Sequence, residues 1–415
     1  MKFVHAADLH LDAPFLGVAA ADSARPGVAA ALRRAAFDAL DRLVELCLAE
    51  RADFLVLAGD SFDRDEQRLA AQLAFAGALR RLGEAGIPTF VVRGNHDPLS
   101  GWSLAVEHHP LVHVFGERVE ERLVAGPGGK PLARVLGRSQ PERASPGNPA
   151  PDYRVDREPG LYTIGVLHAS VGDSPGHSPY APCSVEDLAA TGLDYVALGH
   201  IHGHAVLSRA PWIVYPGCIQ GRHIREAGPK GCCVVTVEAG KTDVRFVALD
   251  SVRWQALMLD ASPLATLDAV RDAAAQVLRE ALAEADGRSL CVRLSVTGRS
   301  AVDSDLRARG TATDLLEVLR DDFGSGEPFA WIEELNVGTR PSADLDARAA
   351  QPDLLGLALQ RAKSCTPSDL RGALGELLTH REMGRFLEEP SDEDLMAALE
   401  DAALLLLDRL EGGGA

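Results

Sequence analysis

An α/β fold is predicted by three observations on this 415-residue sequence. Short apolar runs rich in β-branched residues recur through the first 250 positions, several are separated by segments with helical apolar spacing, and most end abruptly in polar residues. Strands alternating with helices form sheets covered by helices, and ligands of such sheets bind beyond the carboxyl ends of the strands.

Taken in order, residues 2–7 form the first run and lead into Asp8-Leu9-His10. Positions i and i+2 of a strand share a face, so Asp8 and His10 can converge on one point past the strand end. A helical pattern from Ala29 to Ala49 is followed by the strand 53–59 and by Gly59-Asp60-Ser61-Phe62-Asp63-Arg64. A second pattern, Gln67 to Leu82, leads to the strand 88–93 and Gly94-Asn95-His96-Asp97. Residues 126–160, rich in Gly and Pro, read as a surface excursion around one short strand. Strands at 162–168, 194–199, 212–215 and 232–237 complete this part; the first ends in His168 and the second in Gly199-His200-Ile201-His202.

From about Trp254 a strand, a helix (Leu264 to Ala285), a strand (Ser289 to Val296), a helix and a strand (Phe329 to Val337) predict a second, smaller α/β domain. Beyond Pro341 the pattern is wholly helical, with Thr366 and Ser391 as N-caps ahead of acidic first turns. The expected division is therefore 1–252, 253–340 and 341–415. No internal repeat, heptad array or Walker-type phosphate loop is present in the sequence.

Bulk properties narrow the classes. Lys+Arg 42 against Asp+Glu 60 gives a net charge of −18, which argues against nonspecific coating of nucleic acid. The excess is uneven, because residues 251–415 hold 17 basic and 30 acidic side chains against 25 and 30 in residues 1–250. His5, Asp8, His10 and Asp12 interrupt any apolar leader, and no membrane-spanning run exists, so a cytoplasmic protein is expected. Seven cysteines without a CxxC pair read as buried thiols of a reducing compartment, with neither disulfide nor structural zinc.

The polar strand ends form the chemical signal. Together they offer carboxylates, imidazoles and a carboxamide but no thiolate, a donor set suited to Mn, Fe, Co or Zn. Seven potential ligands (Asp8, His10, Asp60, Asn95, His168, His200 and His202) exceed what one catalytic ion takes and point to two ions. Each fragment alone is weak, since Asn and Asp favour turns and a lone histidine is commonly a satisfied core residue. Their coincidence at five strand ends is specific.

In this order and spacing the fragments resemble the calcineurin-like metallophosphoesterase superfamily, with its pattern D-x-H, G-D-x-x-D, G-N-H-D/E, H and G-H-x-H. Within it, "HAADLHLDAPF", "GDSFD" and "YPGCIQGRHIREAGPKG" look most like the bacterial SbcD-type and YhaO-type DNA repair exonucleases. The resemblance covers roughly residues 1–250 and implies a sandwich of two sheets flanked by helices. It also implies that Asp8, His10, Asp60 and His202 hold one ion, that Asp60, Asn95, His168 and His200 hold the other, and that Asp60 bridges. His96 is then the residue that stabilises or protonates the leaving oxygen, with Asp63 holding its ring. Two divalent cations, Mn²⁺ foremost, are the cofactors expected; DNA, an SMC-like ABC ATPase subunit and a second copy of the chain are the partners.

Other residues carry less. Arg222 either forks onto a substrate phosphate or pairs with Glu226. Arg64 either reaches the site or caps a helix, His5 is expected to hydrogen-bond within the structure, and His108, His109, His113 and His204 are expected on the surface. Three functions compete: a DNA phosphodiesterase acting as a repair exonuclease or endonuclease, a small-molecule phosphodiesterase or phosphatase, and a non-catalytic scaffold. The complete ligand set disfavours the scaffold, and the appended domain favours a macromolecular substrate.

Overall fold

The computed structural model describes residues 1–13, 15, 25–63, 69–99, 109–142, 147–156, 161–172, 180–378 and 390–411. Arg64 and His108 lie outside them. The chain divides into two compact units: Met1–Leu259 with Asp268–Val296 and Ala308–Val337, and Asp260–Leu267 with Thr297–Arg307 and Gly338–Ala415.

The first unit is built on two six-stranded sheets. Their strands are β1 (Lys2–Ala6), β2 (Phe54–Ala58), β3 (Thr89–Val92), β4 (Val112–Val114), β5 (Glu120–Ala125), β6 (Pro131–Gly137), β7 (Tyr162–His168), β8 (Tyr195–Gly199), β9 (Ala205–Arg209), β10 (Trp212–Tyr215), β11 (Gly231–Glu238) and β12 (Lys241–Ala248). One sheet has the order β12-β11-β1-β2-β3-β4 and the other β5-β6-β7-β8-β10-β9. The strands β1 to β4 are parallel to one another, as are β6, β7, β8 and β10.

The sheets meet through a dry core of inward residues that includes Phe3, Phe54, Val56, Phe90, Val135, Ile164, Tyr195 and Val235. Phe3 and Phe54 stack at 5.0 Å, and the edge of Tyr195 meets Phe3 at 5.2 Å. Helices Pro26–Ala49 and Leu69–Glu84 cover the first sheet's outer face, with Leu40, Leu43, Phe75, Leu79 and Leu82 packed against Val4, Leu55, Leu57 and Val91. Burial on both faces explains why the central strands read as continuous apolar runs. The two-sheet sandwich flanked by helices is thus the architecture the sequence led one to expect.

A three-stranded sheet follows, β13 (Val252–Asp260), β14 (Ser289–Thr297) and β16 (Ala330–Val337) in that order. Trp254, Cys291 and Trp331 from it, with Phe329 just ahead of β16, share a core with Val28, Ala29, Leu32 and Ala35 of helix Pro26–Ala49. Asp250, fully buried, receives Arg253 at 2.8 Å and Arg288 at 3.1 Å. This shared packing places the small sheet within the first unit.

The second unit contains the short parallel pair β15 (Arg299–Ser300) and β17 (Arg340–Pro341), with helices Leu345–Ala349, Leu354–Lys363, Pro367–Leu378 and Asp392–Glu411. Both expected caps are present: the amide of Asp369 donates to Thr366 Oγ1 at 3.2 Å and that of Asp394 to Ser391 Oγ at 3.1 Å. No described helix is long and apolar enough to cross a membrane.

A candidate dinuclear metal centre

Neighbouring parallel strands end at one level, so the loops leaving β1, β2 and β3 face those leaving β7 and β8 across the edge of the sandwich. The loops also continue the pairing: the amide of Asp8 donates to Gly59 O at 3.0 Å, His10 to Asp60 O at 3.1 Å and Leu11 to Ser61 O at 3.1 Å. Asp8, His10, Asp60 and His200 all adopt positive φ, at 52°, 43°, 51° and 104°. Such backbone costs on the order of 1–3 kcal/mol per non-glycine residue and persists where surrounding contacts impose it. Here it turns side chains inward that would otherwise continue the pleat.

Close approach requires glycine at two points. A Cβ on Gly94 would lie 2.1 Å from Asp60 Oδ1, and one on Gly199 would lie 1.9 Å from Ala58 O. The loops can therefore converge only because these positions carry no side chain.

Two facing pairs of side chains define the cluster. His168 Nδ1 lies 2.9 Å from Ala58 O and donates to it, which leaves the Nε2 lone pair facing Asn95 Oδ1 at 2.9 Å and Asp60 Oδ2 at 3.2 Å. Burial lowers the pKa of His168, but the charge of Asp60 outweighs it and holds the imidazole up at about 9. In the second pair His10 Nε2 and His202 Nε2 are 3.2 Å apart, while His10 Nδ1 lies 3.0 Å from Asp63 Oδ1 and His202 Nδ1 donates to Glu226 Oε1 at 2.6 Å. Burial holds His10 down at about 3, so its ring is neutral, and its Nε2 and that of His202 converge on one point.

These donors fit two cations. Asp8, His10 and His202 place ligand atoms within 4.8 Å of one another, and so do Asp8, Asp60 and His168. Asp60 Oδ2 lies 3.8 Å from His10 Nε2 and 3.2 Å from His168 Nε2, between the two groups. Asn95 Oδ1 also lies 3.2 Å from His200 Nδ1. Asp8, His10, Asp60 and His168 are each no more than 2% exposed. All seven ligand candidates named from the sequence are brought into one cluster.

The residues around the seven depart from expectation. The nearest acceptor for the His96 ring is the main-chain carbonyl of Asp63, 3.0 Å from Nδ1, while the Asp63 carboxylate is 3.6 Å away. That carboxylate pairs instead with His10 at 3.0 Å and Arg222 at 3.1 Å, and these partners hold its pKa well below the usual range. The reason is geometric: the 60–63 turn aims Asp63 inward and puts its carbonyl beneath His96. Arg222 is committed too, with Nη1 on Asp63 and Nη2 on Glu226 Oε1 at 3.1 Å, so it takes the ion-pair reading rather than that of a free substrate contact.

Three contributors escape sequence reasoning. Glu226 is buried and accepts from His202 Nδ1, the Arg222 amide at 2.8 Å and the Arg222 guanidinium. The spacing Arg222-x-x-x-Glu226 signals an ion pair but not the imidazole between them. Asp97 accepts from the amides of Ser61 and Gly94, both at 2.8 Å, bracing the second and third loops. Tyr180 stacks on His200 at 5.5 Å and meets His168 edge-on at 5.8 Å; no sequence pattern marks it. His5 bridges the sheets as expected, at 3.0 Å from Tyr195 Oη and 3.1 Å from Leu198 O. His109 and His113 are half-buried, whereas exposed His204 is anchored to Tyr215 O at 2.9 Å.

Comparison with known proteins matches this geometry. Residues 1–204 match the family model described as calcineurin-like phosphoesterase, and residues 254–340 match that of the middle domain of metallophosphoesterase YhaO. The chain is 33% identical over 99% of its length to the uncharacterized metallophosphoesterase YhaO of Bacillus subtilis, covering 98% of that protein. It is 26% identical to the DNA double-strand break repair protein Mre11 of Thermoplasma acidophilum, over 53% of this chain and 60% of the relative. It is 25% identical to one component of the nuclease SbcCD of B. subtilis, over 62% of this chain and 70% of that one.

Proposed function

The chain belongs to the calcineurin-like phosphoesterase family, whose fold uses a dinuclear divalent metal site, and from that premise we propose that it hydrolyses DNA phosphodiester bonds as a repair exonuclease. The observation that carries the reading is the convergence of His10 Nε2 and His202 Nε2, 3.2 Å apart, beside the buried carboxylate of Asp60 and the imidazole of His168. Such an arrangement is satisfied by cations. DNA as substrate is supported by the Mre11 and SbcCD relatives and by the additional domains, which a small ester does not require.

In this reading Asp8, His10, Asp60 and His202 would hold one cation, and Asp60, Asn95, His168 and His200 would hold the other. Two divalent cations, Mn²⁺ in our proposal, would supply Lewis acidity that activates water and offsets the charge of the phosphoryl oxygens. The chain's own residues do the rest. Glu226 accepts from Nδ1 of His202 and the Asp63 carboxylate faces Nδ1 of His10 at 3.0 Å, which leaves Nε2 of each ring toward the centre. Ala58 O does the same for His168. His96, whose side chain is 43% exposed, has Nδ1 directed at Asp63 O, so that a proton taken up from solvent at Nε2 would pass to the leaving oxygen, with the Nδ1–H bond held throughout.

The helical region carries exposed Leu354, Leu357, Leu405, Leu406 and Leu410, which suits docking to an ATPase subunit; dimerisation and a cytoplasmic setting complete the proposal. Labelled DNA and bis-p-nitrophenyl phosphate are to be offered with Mn²⁺ to the wild type and to His96→Ala. Cleavage of both by the wild type, with metal retained and turnover lowered about 10²–10⁴-fold in the variant, is expected. Hydrolysis of the small ester without any of DNA replaces the DNA reading by that of a small-molecule phosphodiesterase.

A further inference from the structure

Beside the metal centre lies a cavity of about 440 Å³ lined by His223, Ile224, Arg225, Arg293 and Glu333. One wall is the short helical turn Ile224–Glu226, the other the sheet of β14 and β16. Ile224 packs into the cluster of Val252, Trp254, Cys291, Phe329 and Trp331, so the turn is pinned to that sheet. At its far end Glu226 accepts from His202. A single short turn, anchored by half-buried Ile224 and buried Glu226, thus sets the position of the cavity relative to the metal centre.

The arginines here are not equivalent. Arg222 is spent on Asp63 and Glu226, and Arg293 on Glu334 at 2.7 Å and Glu333 at 3.2 Å. Arg225 is exposed, and among the described residues no carboxylate lies within ion-pair distance of it. In a chain of net charge −18, an uncommitted guanidinium next to a phosphoesterase centre is where an anion gains most. A polynucleotide can fill the centre with one phosphate and bring the next to this cavity, whereas a phosphomonoester has no second phosphate to offer it.

We propose that Arg225 binds the backbone phosphate flanking the scissile one, in a subsite walled by His223 and Arg293. The proposal rests on the DNA reading above. It moves substrate capture three residues along the chain from Arg222, which positions Asp63 and Glu226 instead.

The test compares wild type, Arg225→Ala and Arg225→Lys. Binding of a fluorescein-labelled single-stranded oligonucleotide is followed by anisotropy with Ca²⁺ over a range of salt, and hydrolysis of the oligonucleotide and of bis-p-nitrophenyl phosphate with Mn²⁺. Loss of one phosphate contact lowers the slope of log K against log salt by about 0.7 for a single strand. In Arg225→Ala the affinity is expected to fall about tenfold, at the low end for a charged hydrogen bond because the site is exposed. The ratio of kcat/KM for oligonucleotide over small ester falls by the same factor, through KM, and lysine restores the slope. An unchanged slope and ratio in Arg225→Ala, or a slope that lysine does not restore, overturns the subsite and leaves the DNA reading standing. A wild type that hydrolyses the small ester yet neither binds nor cleaves the oligonucleotide overturns both.

Discussion

Replacing Glu226 by glutamine tests whether the metal centre depends on a residue that touches no metal. The wild-type carboxylate accepts from His202 Nδ1 at 2.6 Å and from Arg222 at 2.8 Å and 3.1 Å. Burial raises a carboxyl's pKa, but His202 and Arg222 together hold that of Glu226 well below the ordinary range, so it is ionised when it makes these bonds. Glutamine keeps one acceptor oxygen and loses the charge. A hydrogen bond to a charged group contributes about 1.5–3 kcal/mol against about 0.5–1.5 for a neutral one, so His202 loses about 1–1.5 kcal/mol of support. At 1.4 kcal/mol per tenfold, this weakens one metal site about tenfold, the lower end of what outer partners of ligating histidines provide. The amide NH₂ also meets a donor it cannot accept from, a further cost of about 1–3 kcal/mol in stability. Titration with Co²⁺, followed by its visible absorption, measures the two affinities separately, and urea unfolding of the metal-free protein measures stability. Two unaltered Co²⁺ affinities alongside reduced stability would refute the claim that Glu226 tunes His202.

Gly94→Ala puts a Cβ 2.1 Å from Asp60 Oδ1, so Asp60 must move; bound metal per chain, read by elemental analysis, is expected to fall below that of the wild type, with activity falling at least as far. Tyr195→Phe removes the hydroxyl 3.0 Å from His5 Nδ1 in a fully buried place, at a cost of about 1–3 kcal/mol in urea unfolding, while metal content stays that of the wild type. A loss of metal in Tyr195→Phe would show that His5 serves the centre and not the joint between sheets.

The strands, the covering helices and the donor set are legible in the linear chain. Val, Ile and Leu runs at 54–58, 162–168 and 195–199 state burial on both faces, and the polar residue after each run marks where burial stops. That information is local, because the period of apolar residues and the chemistry of a strand end are properties of a few neighbouring positions. Strands such as β5, β9 and β12, with one wet face, are correspondingly hard to read. Which charge meets which emerges only once the chain has folded. Asp63 could have served His96 by proximity in the motifs, yet Arg222, 159 residues away, and His10 take its carboxylate. Arg222 in turn leaves Arg225 as the exposed cation. Pairing among buried charges is settled by distance and desolvation after the loops have converged, and neither quantity is written in any stretch of the chain.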